Sequence, residues 1–207
     1  MTSIGIFGGT FDPIHFGHLR IAVECKAKLH LEKLYMLPCA QPAHREKPAA
    51  TAGQRMTMLN LAIKNTEGLI ADDRELKRPG HSYTIDTLKT FQEEFPDANF
   101  YLIMGTDAFE SICTWHRWQA LFESAHIIVA RRPVDVDLST ANAFLKNRFV
   151  DSLDELDQYN TGKILEIKVS QLEISSSRIR QLIRRRESVE FLLPDEVIRF
   201  INQNSLY

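Results

Sequence analysis

The residues best suited to chemistry stand close together near the start of the chain, in Gly8-Gly9-Thr10-Phe11-Asp12-Pro13-Ile14-His15-Phe16-Gly17-His18. Gly8 and Gly9 permit backbone angles that other residues resist and let a ligand approach the main chain. Pro13 stiffens the turn, and Thr10 adds a hydroxyl donor. His15 and His18 are three residues apart, so at a helix start they share a face. Gly17 between them leaves room for a phosphate against the backbone. The helix start adds unpaired N–H groups and the positive end of a dipole. Such a turn is equipped to grip anionic oxygens. Two plainer readings stay open: a pair of surface histidines, or half of a zinc site, for which no further ligand stands out. The string is neither the Gly-x-Gly-x-x-Gly of dinucleotide folds nor a P-loop, which requires Lys-Ser/Thr.

A second donor cluster is Ile174-Ser175-Ser176-Ser177-Arg178-Ile179-Arg180. Its serines open a predicted helix, where hydroxyls and free N–H groups together make an anion site. Arg180 lies one turn in, within reach of a phosphate. Read alone, the segment is better taken as a capped helix with solvated arginines, and its pairing with the N-terminal turn reverses that preference. The later Arg184-Arg185-Arg186 run falls near that helix's end, where cations complement the dipole. Three further segments carry polar or aromatic groups: Glu75 to Thr84, Gly105-Thr106-Asp107 leading to Thr114-Trp115-His116, and Pro42-Ala43-His44-Arg45. Trp115 is a stacking platform or a core residue. Asp107 is a ribose ligand or a helix cap. Trp118 reads as core.

These residues need elements to hold them. Ile4 to Phe7 reads as a buried strand ending at Gly8-Gly9. A helix from about Gly17 to Leu29 shows Leu19, Ala22, Val23 and Ala27 on one face. Strands follow at Leu34–Leu37, Leu69–Ala71, Phe100–Met104, Ala125–Ala130 and Ile164–Val169. Helices run from Gln54 to Lys64, carrying Met56, Leu59, Ala62 and Ile63, and from a cap at Ser82, showing Ile85, Leu88, Phe91 and Phe95. Two more follow Ser175–Ser177 and Pro194. Strand–helix alternation with near-continuous apolar strands predicts an α/β fold with a doubly wound, mostly parallel sheet covered on both faces. The first and fourth strands then become neighbours, and the turns after them face one crevice. The chain reads as a single domain over 1–207, with a core over about 1–170 and a small C-terminal helical part over about 171–207.

Composition narrows the classes. Lys plus Arg number 25 and Asp plus Glu 27, a formal net charge of −2. That balance argues against nucleic-acid-coating or membrane-surface roles. No apolar run approaches the ~20 residues of a membrane helix. Three scattered cysteines and no signal-like start point to the cytoplasm. A homo-oligomer stays open.

The Thr-Phe-Asp-Pro and His-x-Gly-His residues resemble the His-x-Gly-His nucleotidyltransferase superfamily. The Ile174–Arg180 segment resembles its Ile-Ser-Ser-Thr-x-Ile-Arg motif, with Ser177 in place of Thr. Glu75-Leu76-x-Arg78-x-Gly80-x-Ser82-Tyr83-Thr84, Gly105-x-Asp107, Trp115 and Pro42-Ala43-His44-Arg45 together are similar to bacterial nicotinate-nucleotide adenylyltransferases. Ala43 and Arg45 depart from that family's Pro and Lys, and Arg45 brings a planar fork. The resemblance implies a Rossmann-like nucleotidyltransferase fold that moves AMP from ATP to nicotinate mononucleotide, with Mg²⁺ arriving bound to ATP and no metal ligands in the protein. It implies His15, His18, His44 and Arg180 as catalytic. Gly8, Gly9, Thr10, Phe11, Gly17, Gly105, Asp107, Ser175, Ser176 and Ser177 would bind ATP. Arg45, Tyr83, Thr84, Trp115, His116 and Arg132 would bind the acceptor. Nicotinamide mononucleotide or pantetheine phosphate as acceptor, or a non-catalytic nucleotide-binding regulator, are the alternatives.

Overall fold

Seven strands, all paired in parallel, run through the computed structural model in the order β3-β2-β1-β4-β5-β7-β6. Residues 2–40, 48–78, 80, 82–131, 142–170 and 172–207 are described. The chain alternates β1 (Thr2–Gly9), α1 (Phe16–Lys28), β2 (Lys33–Pro38), α2 (Ala52–Ile63), β3 (Leu69–Ala71), α3 (Arg74–Lys77) and α4 (Thr84–Glu94). Next come β4 (Ala98–Gly105), α5 (Thr106–Glu110), α6 (Leu121–Ser124), β5 (His126–Arg131), α7 (Ala143–Lys146) and β6 (Phe149–Val150). The last elements are α8 (Leu153–Leu156), β7 (Ile164–Lys168), α9 (Ser176–Arg184) and α10 (Asp195–Gln203).

Alternate residues of the central strands feed two apolar layers. On one face Phe7, Met36, Ile103 and Ile128 meet Cys25, Met58, Leu59, Ile179 and Ile201 from α1, α2, α9 and α10. On the other, Ile6, Leu37, Leu102 and Met104 meet Leu88, Phe91, Phe109 and Leu121 from α4, α5 and α6. Burying each large apolar side chain contributes roughly 1.5–3 kcal/mol, so a parallel sheet needs both covers.

The helix faces differ in detail from the sequence reading. In α1 the buried residues are Ala22, Glu24 and Cys25, and Val23 is exposed. Glu24 is buried because its carboxylate accepts from the Ser170 N–H and pairs with Arg20 at 2.6 Å. In α2 the buried set is Arg55, Met58, Leu59 and Ile63, without Met56, and Thr51 closes a capping box with Gln54. Ser82 does not cap α4; Tyr83 holds that position, and the Ser82 hydroxyl accepts from the Ala40 N–H at 3.1 Å.

Strand order reverses between β1 and β4. Phe7 lies opposite Ile103, so the turns starting at Gly8 and Gly105 leave the sheet side by side. This is the crevice where open parallel sheets take ligands.

Candidate active site

A cavity of about 1010 Å³ opens over that crevice. Its walls include every candidate residue within the described parts of the chain: His15, His18 and Arg180; Gly8, Gly9, Thr10, Phe11, Gly17, Gly105, Asp107 and Ser175 to Ser177; Tyr83, Thr84, Trp115 and His116. His44, Arg45 and Arg132 lie outside the described residues.

The turn after β1 is shaped otherwise than its glycines suggest. Gly8 and Gly9 both belong to the strand, and the left-handed backbone falls on Phe11, at φ 48°. A Cβ on Gly8 would meet nothing within 4 Å, so its surface is open to the cavity. A Cβ on Gly9 would stand 2.6 Å from the Phe11 ring, and one on Gly17 would stand 3.0 Å from Cε1 and Nδ1 of His15. Those two glycines therefore make room for side chains of the protein. Phe11 is 1% exposed. Its ring packs edge-on against Phe7 and His18, which supports the site and offers little surface to a ligand.

His15 is the N-cap of α1, and its ring stacks on His18 with centroids 3.7 Å apart. Burial lowers the His15 pKa to about 4, so near neutral pH it is an uncharged imidazole. Its Nδ1 is buried without a hydrogen-bond partner among the described residues. An orphaned polar atom costs about 1–3 kcal/mol, and at the wall of a cavity it suits a ligand. The helix start is less open than expected. The Phe16 N–H donates to Leu192 O, and those of His18 and Leu19 donate to His15 O. Among the described residues this leaves the Gly17 N–H for an anion.

The start of α9 packs directly on this turn. Ser175 caps the helix by accepting from the Arg178 N–H at 3.2 Å. The Ser176 hydroxyl donates to Pro13 O at 2.9 Å. Arg180 donates from NH1 to Asp12 O at 2.7 Å and from NH2 to the Ser177 hydroxyl at 3.3 Å. Two of the serine hydroxyls thus shape the junction, and the N–H groups that begin α9 are the part suited to an anion. Arg184, one turn beyond Arg180, also lines the cavity, so it belongs to this wall as well as to the helix end.

At the other end of the cavity the Tyr83 and His116 rings lie 4.3 Å apart. Trp115 is half-buried beside them, while Trp118 packs on Phe122 and Phe144 away from the lining. Thr84 is the first residue of α4, where N–H groups lack partners within the helix. Asp107 sits one residue inside α5, whose N-cap is Gly105, so it is not the cap.

Several structural partners were hidden from sequence reasoning. Arg55, 1% exposed, donates to Thr10 O and Cys39 O at 2.7 Å each and to Ala40 O at 3.4 Å. It clamps the turn after β1 to the turn after β2. Glu75 is buried, which raises its pKa, and it accepts from the Thr87 hydroxyl at 2.9 Å. It props the segment leading to Thr84. Asp12, 3% exposed, accepts from the Ala49 and Ala50 N–H groups at 2.8 and 3.1 Å. A charged residue on a helix, or an Asp before Pro, reads as solvated; only the contact across the fold reveals these roles. Among the described residues no three His, Cys, Asp or Glu side chains cluster as a metal site, and no helix is long and apolar enough to cross a membrane.

Comparison with known proteins agrees with this geometry. Residues 6–182 match the family model described as cytidylyltransferase-like. Over 208 residues, 99% of both chains, the sequence is 44% identical to the "Probable nicotinate-nucleotide adenylyltransferase" of Methylococcus capsulatus. A relative with the same name from Hydrogenovibrio crunogenus is 42% identical over 207 residues, 99% of this chain and 97% of the other. Among solved structures, Plasmodium falciparum nicotinic acid mononucleotide adenylyltransferase complexed with NaAD superposes with a TM-score of 0.78. That match covers 100% of this chain and 98% of the other at 21% identity, a likeness of fold.

Proposed function

The chain belongs to the cytidylyltransferase-like family, among the nicotinate-nucleotide adenylyltransferases, and on that premise we propose that it transfers AMP from MgATP to the phosphate of nicotinate mononucleotide. The products are deamido-NAD and pyrophosphate. What carries the reading is one cavity walled at one end by phosphate-gripping donors and at the other by Tyr83, Trp115 and His116.

The acceptor phosphate carries nearly two negative charges at neutral pH and needs no general base. One of its oxygens forms a bond to the α-phosphorus of ATP. The bond from that phosphorus to the bridging oxygen breaks, and its electrons leave on pyrophosphate. The protein's work is alignment and charge stabilisation. His18, the neutral imidazole of His15, the Gly17 N–H and Arg180 face the triphosphate oxygens, and Thr10 and the first N–H groups of α9 complete the grip. Mg²⁺ is part of the ATP substrate, held by phosphate oxygens and water. The Asp12 carboxylate is occupied by amides, so this donor set fits an ion that arrives with its nucleotide. His44 and Arg45 enter on the family resemblance alone, as does Arg132.

Trp115 offers its indole face to the electron-poor pyridine ring, worth on the order of 1 kcal/mol. Donors at Thr84 and the backbone near His116 receive the carboxylate. A carboxamide would turn its NH₂ toward those donors, which disfavours the nicotinamide nucleotide. Among the described residues Cys25, Cys39 and Cys113 form no disulfide, which suits a reducing cytoplasm.

The test is incubation with MgATP and nicotinate mononucleotide, read by mass spectrometry, with nicotinamide mononucleotide and pantetheine phosphate as parallel acceptors. Deamido-NAD should dominate. Faster transfer to either other acceptor overturns the assignment, and no transfer to any of them leaves a nucleotide-binding regulator.

A further inference from the structure

Asp12 gathers three distant pieces of the chain. Its Oδ1 accepts from the Tyr207 hydroxyl at 2.7 Å, across 195 residues of sequence, and from the Ala50 N–H at 3.1 Å. Its Oδ2 accepts from the Ala49 N–H at 2.8 Å and stands 3.8 Å from NH1 of Arg180. Its main-chain oxygen accepts from that same NH1 at 2.7 Å. The Arg180 guanidinium therefore faces both the carbonyl and the carboxylate of one residue, which compete for it.

The Tyr207 ring packs against the apolar layer shared by α1, α2, α9 and α10. Its hydroxyl is held firmly as a donor, since burial first and Asp12 second push its pKa well above the ordinary value. A short hydrogen bond to a carboxylate drains charge from the oxygen that accepts it. With Tyr207 and two amides in place, Asp12 keeps Arg180 at its carbonyl, Nη2 rests on the Ser177 hydroxyl, and the remaining N–H groups stay available to the cavity. Without the phenol, Oδ1 loses its shortest partner, and the carboxylate draws Arg180 into a closer ion pair.

We propose that Tyr207 is a positioning residue of the triphosphate site, acting through Asp12 to keep Arg180 oriented toward the phosphates. It touches no substrate. The proposal rests on the reading of Arg180 as a phosphate ligand.

The experiment is a double-mutant cycle on the full chain with Tyr207→Phe, Arg180→Ala and the pair, because residues acting through one another are non-additive. Four quantities are read: the MgATP dissociation constant by calorimetry, kcat and KM for each substrate, and Tm. Tyr207→Phe should weaken MgATP about tenfold and leave KM for the acceptor within twofold. In the Arg180→Ala background the same change should add less than twofold. Should the pair fail to fold, Arg180→Lys replaces Arg180→Ala as the second background. A Tyr207→Phe protein with lower Tm and unchanged MgATP affinity would reduce Tyr207 to a structural tie. A tenfold loss that persists without Arg180 would sink the route through Arg180. MgATP binding reads these outcomes even if the acceptor assignment fails, so the two failures are distinguishable.

Discussion

Replacing Arg55 with methionine probes how the two turns flanking β1 and β2 are held in register. Arg55 is nearly inaccessible, and among the described residues its guanidinium forms no ion pair. Its charge rests on carbonyls, two of them at 2.7 Å. Methionine fills similar space but leaves the Thr10 and Cys39 oxygens without that donor. Each stranded acceptor costs about 1–3 kcal/mol. Removing a buried charge and its unpartnered Nε returns part of this, so the net loss should be about 3 kcal/mol. For a chain of this size each kcal/mol lowers Tm by roughly 2–4 °C, giving a fall of about 6–12 °C in a thermal melt followed by circular dichroism. Well below that melt, kcat/KM should drop about tenfold, because Thr10 moves while the lining stays otherwise intact. Arg55→Lys keeps the charge but cannot fork between two carbonyls, and should fall near the methionine variant. A lysine variant as stable as the parent would show that charge alone, without the fork, secures the turns.

Three other outcomes are expected. His18→Ala should cut kcat roughly 10²–10³-fold with Tm within about 2 °C, and near-normal turnover would remove His18 from the chemistry. Trp115→Ala should raise KM for nicotinate mononucleotide about tenfold and KM for ATP less than twofold; equal rises would make Trp115 a packing residue. Because His15 and His126 are both held below their ordinary pKa by burial, the unfolded chain binds more protons as pH falls below about 6.5, and stability declines toward pH 4. For His15 alone that is about 2 kcal/mol between pH 7 and 5, visible as a lower urea midpoint. The decline should shrink in His15→Asn, and an unaltered pH profile there would contradict a buried neutral imidazole.

Six of the strands were readable because an apolar run in a parallel sheet needs no partner to be recognised. The adjacency of β1 and β4 followed from the doubly wound pattern. β6 was not readable: Phe149–Val150 is too short to show a period. The shifted faces of α1 and α2 have one cause. Glu24 and Arg55 are charged residues buried by long-range partners, Ser170 and the carbonyls of two turns, and periodicity assigns such residues to solvent. In the site, His15 and His18 stood out by type and spacing, whereas Trp115 read equally as core and Arg180 as a solvated helix residue until the family resemblance was added. The division of labour stayed hidden. That Gly9 yields its space to Phe11, that Ser176 bonds Pro13, and that Asp12 answers to Tyr207 depends on which segments meet, and no local window carries that.

The junction at Phe16 and Leu192 has a consequence for biogenesis. The first helix is pinned by a carbonyl from a segment synthesised after every strand of the sheet, and the Pro13 oxygen waits on Ser176 in the same way. A partly made chain therefore carries the His15 and His18 half of the nucleotide grip without its shape or its second half. Closing contacts so far apart in sequence is slow, which makes affinity for nucleotide a late event in maturation and a sensitive report that the whole chain has settled.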